Sequence, residues 1–144
     1  YMDGRGGHPV VQGKRMELIQ KQIDRGAGWV NLHYAVDYLP QHGKTVLGWM
    51  GGYYEPNYSI NPHWDANVRS LPKHPITRGV KPFTLRDEWY YGMRFVDDMK
   101  NVTPILQALP PDNTRNTDYT KGRKGEIETM AWAYERPDPA KGRG

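Results

Sequence analysis

The sequence predicts an α/β fold with a mostly parallel central sheet between layers of helices. Met16, Ile19 and Ile23 recur at i, i+3 and i+7, which predicts an amphipathic helix over residues 13–25. Residues 29–32, of which Trp29, Val30 and Leu32 are apolar, follow it and predict a buried strand. A second helix is expected from Ala35 onward, and this alternation of helices and strands is typical of parallel sheets.

The second half of the chain is expected to add strands. Residues 84–91 and 103–109 have strand-like composition, and residues 126–134 alternate in the period of two that a strand requires. Residues 110–125 are polar and rich in turn formers, which predicts a mobile excursion. Residues 43–62, rich in Gly, Tyr, Asn, Pro and Trp, predict a long aromatic loop that serves as a binding wall or a surface flap.

Length and composition favour one domain over residues 1–144, a size that can bury a compact core. The hydrophobic fraction of 37% is low for a parallel sheet, whose strands are usually dense in Val, Ile and Leu. Residues 1–4 resemble the end of a strand. We therefore expect the domain to be incomplete at both ends.

Several function classes are excluded or disfavoured. The chain has 0 cysteines, which excludes a thiolate nucleophile and sulfur-ligated metals. No apolar run approaches the roughly 20 residues of a membrane helix, so no membrane partner is expected. The net charge of +4 comes from basic residues scattered among acidic ones, which disfavours nucleic acid as a partner. Neither a cytoplasmic nor an exported location is indicated.

Four motifs occur in a distinctive order along the chain: Gly-Trp-Val-Asn-Leu-His at 28–33, Gly-Gly-Tyr at 51–53, His-Pro-Ile-Thr-Arg-Gly at 74–79 and Asp-Glu-Trp-Tyr at 87–90. In this order they resemble ThuA-like, trehalose-utilisation domains over nearly the whole chain. The resemblance implies a three-layer, flavodoxin-like sandwich of the class I glutamine amidotransferase type. The family's first strand region and its final Gly-His element are missing, which agrees with an incomplete domain.

His33 is the first candidate catalytic residue. In the related amidotransferases the strand-to-helix turn carries a nucleophilic cysteine, and the resemblance implies that His33 occupies that turn. Cysteine-dependent amidotransferase chemistry is therefore not expected. An imidazole, with an ordinary pKa of about 6.5, can serve there as general base, general acid or metal ligand. The alternative is a histidine that only hydrogen-bonds the neighbouring backbone.

Glu88 is the second candidate catalytic residue. Adjacent side chains on a strand point to opposite faces, so Asp87 and Glu88 cannot form a carboxylate pair, and at most one faces a pocket. We expect Glu88 to do so, with Tyr90 on the same face as a ligand-binding partner. A solvated edge strand is the alternative.

Further ligand-binding candidates come from the glycine-rich and aromatic segments. They are His8, Trp49, Gly51, Gly52, Tyr53, Tyr54, His63 and Trp64. His8 is expected at the same sheet edge as His33, and the aromatic rings could stack on sugar faces. A zinc or similar site formed by His8, His33, His63 and a carboxylate is chemically reasonable, but the spacing matches no compact ligand motif.

Two functions therefore stay open. The first is acid/base chemistry on trehalose or a keto-sugar by His33 and Glu88, as an isomerase, lyase or hydrolase. The second is a non-catalytic sugar-binding or interaction module. Either predicts a small-molecule carbohydrate as partner, and unpaired sheet edges favour a homo-oligomer or a larger multidomain protein. A phosphorylated ligand at the glycine-rich residues 4–7 is a weaker third hypothesis.

Overall fold

The computed structural model describes residues 8–137, and its strands there form three antiparallel pairs: β1 with β4, β2 with β3, and β5 with β6. The strands are β1 (Gly52–Tyr53), β2 (His63–Val68), β3 (Phe83–Glu88), β4 (Arg94–Phe95), β5 (Val102–Ala108) and β6 (Glu128–Tyr134). The helices are α1 (Arg15–Asp24), α2 (Gly43–Met50) and the short α3 (Asp118–Lys121).

The expected mostly parallel, three-layer sandwich is therefore wrong. A parallel connection needs a crossover of a dozen or more residues, usually a helix. No α-helix lies between β2 and β3, and only the four-residue α3 lies between β5 and β6. Each of these strands instead turns back and pairs with its neighbour in the chain.

The predicted buried strand over residues 29–32 is also wrong. This segment has no regular structure, and Val30 and Leu32 are 82% and 78% exposed. Trp29 packs toward the core, where its ring centroid lies 5.9 Å from that of Trp49, and Asn31 donates to Met50 Sδ at 3.1 Å. The helix expected from Ala35 onward is a single 3-10 turn, His33–Val36. A short apolar run does not by itself specify burial, because a strand must also find a pairing partner.

Other predicted elements are confirmed within a few residues. The periodic segment forms α1, and the three later strand predictions correspond to β3, β5 and β6. The predicted long loop over residues 43–62 instead begins with α2. Residues 110–125 contain a 3-10 turn and α3, whose first turn is capped by Thr117.

Within residues 8–137 the core is divided into two clusters. The first surrounds α2 and β1, and its buried members are Tyr38, Val46, Trp49, Met50 and Tyr53. The second lies under the β2–β3 pair, and its buried members are Ile60, Trp64, Ala66, Tyr91 and Ala108. Because β2 alternates buried and exposed side chains, its inward face anchors the hairpin and holds the end of β3 in a fixed place.

Some predictions fall outside the described residues, namely the strand end at 1–4 and the phosphate loop at 4–7. Within residues 8–137, no helix has the length and apolar character needed to cross a membrane.

Candidate active site

His33, Glu88 and Tyr90 meet on one surface. His33 Nε2 lies 3.0 Å from Glu88 Oε2, and the His33 ring centroid is 4.9 Å from that of Tyr90. Tyr54 packs against Tyr90 from the other side, with ring centroids 5.4 Å apart. Together with Asn61 these residues form what we call the His33 cluster. The cluster brings together residues that are far apart in the chain.

His33 owes its position to a tight turn. It is the first residue of the 3-10 turn His33–Val36 and has a φ of 53°, in the left-handed region. Histidine visits this region more often than most residues do, but the conformation still stores strain, which is often found at functional sites. The Tyr54 amide donates to the Val36 carbonyl at 2.8 Å, which ties the turn to the cluster. The imidazole stays accessible, with 57% of its side chain exposed.

Both oxygens of the Glu88 carboxylate are engaged. Oε2 faces His33, and Oε1 accepts a hydrogen bond from Asn61 Nδ2 at 2.8 Å. Asp87 points the other way and accepts the Glu88 amide at 2.8 Å through Oδ1. The two neighbouring carboxylates therefore lie on opposite faces, as the strand period predicts.

The two phenols of the cluster are held in their protonated form. Burial, reinforced by the negative charge of Glu88, raises the pKa of Tyr90 to about 12, although a hydrogen bond from Asn61 opposes this. Burial and the charges of Asp37 and Glu88 also raise the pKa of Tyr54. Its hydroxyl donates to Asn61 Oδ1 at 3.3 Å. Near neutral pH both groups are hydrogen-bond donors.

This geometry supplies a base and an acid within one patch. A carboxylate accepts hydrogen bonds only, so the tautomer of His33 that fits has its proton on Nε2, facing Glu88. Nδ1 then carries the free lone pair. A substrate at this patch would meet a proton acceptor at His33, and the largely buried phenol of Tyr90, 8% exposed, is a hydrogen-bond donor packed against that imidazole.

The family model for trehalose utilisation, ThuA, matches residues 6–143. The chain belongs to the ThuA family. The resemblance carried by the four motifs is confirmed, and the family gives the chain a role in trehalose utilisation, with which a small-molecule carbohydrate partner agrees. The sequence matches no curated protein and no solved structure significantly.

Within residues 8–137, neither of the two other candidate histidines of this ThuA domain makes a hydrogen bond, ion pair or ring contact with His33. His63 is exposed on β2, although its Cα is the register partner of Glu88. His8 caps the 3-10 turn Pro9–Val11, where its Nδ1 accepts the Val10 amide at 3.1 Å. Its Nε2 lies 3.1 Å from the Ala35 carbonyl, and its ring stacks on Tyr38. Burial lowers the pKa of His8.

Three aromatic candidates are buried in the core rather than presented to solvent. Trp49 and Trp64 are each 2% exposed, and Tyr53 is 3% exposed. Trp49 donates from Nε1 to Gln20 at 2.7 Å, and Tyr53 donates to Glu55. Their sugar-stacking role stays a prediction, and the His33 cluster does not include them.

Gly51 and Gly52 lie where the rings of Tyr134 and Phe95 pack closely against the backbone. Gly51 ends α2 with a φ of 72°, and a Cβ there would lie 2.5 Å from the Tyr134 ring. A Cβ on Gly52 would lie 2.6 Å from the Phe95 ring. These contacts explain why small residues stand here, and a ligand-binding role for them stays a prediction.

The residues considered as possible metal ligands do not converge within residues 8–137. Within residues 8–137, no group of three or more His, Asp or Glu residues has the arrangement needed to hold a metal ion. His33 and Glu88 form a pair, while His8 uses its nitrogens for backbone contacts.

Asn61 is the cluster residue that the sequence did not point to. It lies just before β2, and the register of β2 with β3 carries it to Glu88. An Asn-Pro pair before a strand reads as a turn signal, so only the long-range pairing shows its contact with the carboxylate. Sequence reasoning also missed Asp37, because only long-range pairing brings it to Tyr54. Burial raises the pKa of Asp37.

Proposed function

We propose that this ThuA domain is an enzyme that moves a proton on a keto-sugar derived from trehalose. The observation that carries the proposal is the His33–Glu88 pair, with its 3.0 Å contact, on an accessible surface beside two protonated phenols. Membership of the ThuA family supports a substrate derived from trehalose, and the His33–Glu88 pair supports proton transfer.

The first step is removal of a proton from carbon. A C–H bond next to a ketone is acidic enough for one positioned base to act on it. His33 Nδ1 takes the proton, the C–H electron pair forms the enolate, and the resulting imidazolium is stabilised by the Glu88 carboxylate. The phenol of Tyr90 donates a hydrogen bond to the enolate oxygen.

Two reactions follow from the same enolate. Where the deprotonated carbon carries a hydroxyl, transfer of that hydroxyl's proton to the enolate oxygen and return of the first proton to the former carbonyl carbon gives isomerisation. Departure of the sugar oxygen on the adjacent carbon, with a proton delivered to that oxygen, gives elimination. Both begin with the step assigned to His33, so a test of that step covers both.

The decisive experiment incubates the protein with the 3-keto derivative of trehalose in D₂O and follows deuterium uptake and product by NMR. His33→Ala should lower the rate of exchange next to the carbonyl by about 10²-fold or more, the usual contribution of a positioned general base. His42→Ala is the matched control, because His42 lies outside the cluster, and it should keep the parent rate.

Two outcomes count against the enzyme. If His33→Ala exchanges deuterium at the parent rate, His33 is not the base. If the parent protein shows no exchange or turnover, but trehalose shifts its NMR signals saturably in both proteins, the domain is a non-catalytic sugar-binding module.

A further inference from the structure

A polar groove adjoins the His33 cluster. It has a volume of about 330 Å³, within the lower part of the range for small-molecule sites. Its polar walls are formed by Tyr54, Asn57, Ser59, Asn61, Asn116 and Thr117. Among the residues that the structure describes, none of those lining it is charged. The groove therefore suits a neutral ligand rich in hydroxyl groups better than a phosphate.

The groove and the cluster share a wall. Tyr54 and Asn61 line the groove, and they are joined by the hydrogen bond from the Tyr54 hydroxyl to Asn61 Oδ1. Asn61 in turn donates to Glu88. A ligand in the groove would thus lie one residue away from the carboxylate that orients His33.

Two hydroxyl groups of the groove are already used by the fold. Ser59 donates to the Gly92 carbonyl at 2.8 Å, and Thr117 donates to the Tyr58 carbonyl at 2.8 Å. These bonds fix the walls in place. They also mean that neither hydroxyl proton is free for a ligand.

Two amides remain open at the rim. Asn57 and Asn116 are exposed, and within residues 8–137 neither side chain has a hydrogen-bond partner. Asn57 has a φ of 66°, in the left-handed region that asparagine tolerates better than most residues. An amide offers both a donor and an acceptor, which matches a sugar hydroxyl.

We propose that this groove is a second sugar subsite, in which Asn57 and Asn116 bind the hydroxyl groups of the sugar ring that does not react. The inference rests on the proposed function, since it takes the first ring to lie at His33. It makes the domain selective for disaccharides over single sugar rings, and it assigns that selectivity to two asparagines.

The test compares two substrates in the variant that combines Asn57→Gly with Asn116→Ala. Glycine is used at position 57 because it adopts the left-handed conformation without strain. The substrates are the 3-keto derivative of trehalose and that of methyl glucoside. The ratio of their kcat/KM values, disaccharide over single ring, should fall about 10-fold with the loss of two hydrogen bonds.

Asn67→Ala is the matched control, since Asn67 is exposed on β2 away from the groove, and it should keep the parent ratio. A second readout needs no turnover: NMR titration with unoxidised trehalose and with methyl glucoside. The Kd for trehalose should rise about 10-fold in the double variant. An unchanged Kd and an unchanged ratio overturn the subsite, whereas a raised Kd without turnover in the parent supports the subsite and rejects the proposed chemistry.

Discussion

Two glutamates in this molecule each hold two partners, yet their surroundings differ. Glu128 accepts hydrogen bonds from Arg115 at 2.8 Å and from Arg123 at 2.9 Å, and only 5% of its side chain is exposed. Glu88 is bound by His33 at 3.0 Å and by Asn61 at 2.8 Å, with 27% of its side chain exposed. The Glu128 carboxylate is buried between two permanent positive charges. The Glu88 carboxylate instead faces an imidazole, a group that can accept and donate a proton.

The difference separates a structural charge pair from a reactive one. Arginine stays protonated in proteins, so the Arg115–Glu128 pair can only hold the β5–β6 end of the fold together. Imidazole can both accept and donate a proton, and the side chain of His33 is 57% exposed. Replacing the carboxylate by an amide should therefore lower the stability of the protein at Glu128 and its activity at Glu88.

The largest effect is expected at Glu128. Glu128→Gln removes the charge that compensates Arg115, whose side chain is 0% exposed. An uncompensated buried charge typically costs 3–5 kcal/mol, and we expect about 3 kcal/mol because Asp112 still lies 3.4 Å from Arg115. Urea unfolding measures this loss directly.

Glu126→Gln is the control for that measurement. Glu126 pairs with Arg123 at 2.9 Å, but 52% of its side chain is exposed. Its loss should lower the free energy of unfolding by less than about 1 kcal/mol. Equal losses of free energy of unfolding in the two variants would show that burial of the ion pair does not determine its contribution to stability.

The next effect is expected at Glu88. Glu88→Gln keeps the shape and the contact with Asn61 but removes the charge that stabilises an imidazolium at His33. Exchange of the keto-sugar proton should slow by about 10²-fold, at the lower end for a group that assists proton transfer. The free energy of unfolding should change by less than about 1 kcal/mol, because the pair is partly exposed.

Two results would contradict this assignment. A loss of stability as large as that of Glu128→Gln would make the His33–Glu88 pair structural. An unchanged exchange rate in a folded Glu88→Gln protein would remove Glu88 from the mechanism.

Local patterns in the sequence predicted much of the candidate site. The period of two predicted that Glu88 and Tyr90 share a face, and both contact His33, although β3 ends at Glu88 and Tyr90 lies beyond it. The periodic apolar residues predicted α1. These inferences succeed because they depend only on the geometry of one element.

Inferences that needed a partner element failed. Residues 29–32 are mostly apolar, as in a core strand, but no strand within residues 8–137 pairs with them, and Val30 is left exposed. Asn61 reaches Glu88 only through the register of β2 with β3, across the 14 residues of the loop at 69–82. Pairing across such a distance is set by the whole chain, so no local pattern reports it.

The smallest predicted effect is on the pH dependence of stability, and it extends the comparison to His33 and His8. His33 keeps one nitrogen open, whereas His8 uses both: Nδ1 accepts the Val10 amide, and Nε2 bonds the Ala35 carbonyl. Burial lowers the pKa of His8 from its ordinary 6.5, with the charge of His42 acting in the same direction. As pH falls through 6.5, the unfolded chain therefore binds this proton before the folded chain does.

The stability contributed by neutral His8 is present above pH 6.5 and declines as pH falls below it. We expect the free energy of unfolding in urea to be lower at pH 5.5 than at pH 7.5, with a contribution from His8 below about 1 kcal/mol. His8→Asn keeps a side chain that can accept the Val10 amide but does not titrate, so it should reduce this difference. If His8→Asn shows the same difference in free energy of unfolding between the two pH values, another group causes that difference. The contrast between His8 and His33 would then not hold.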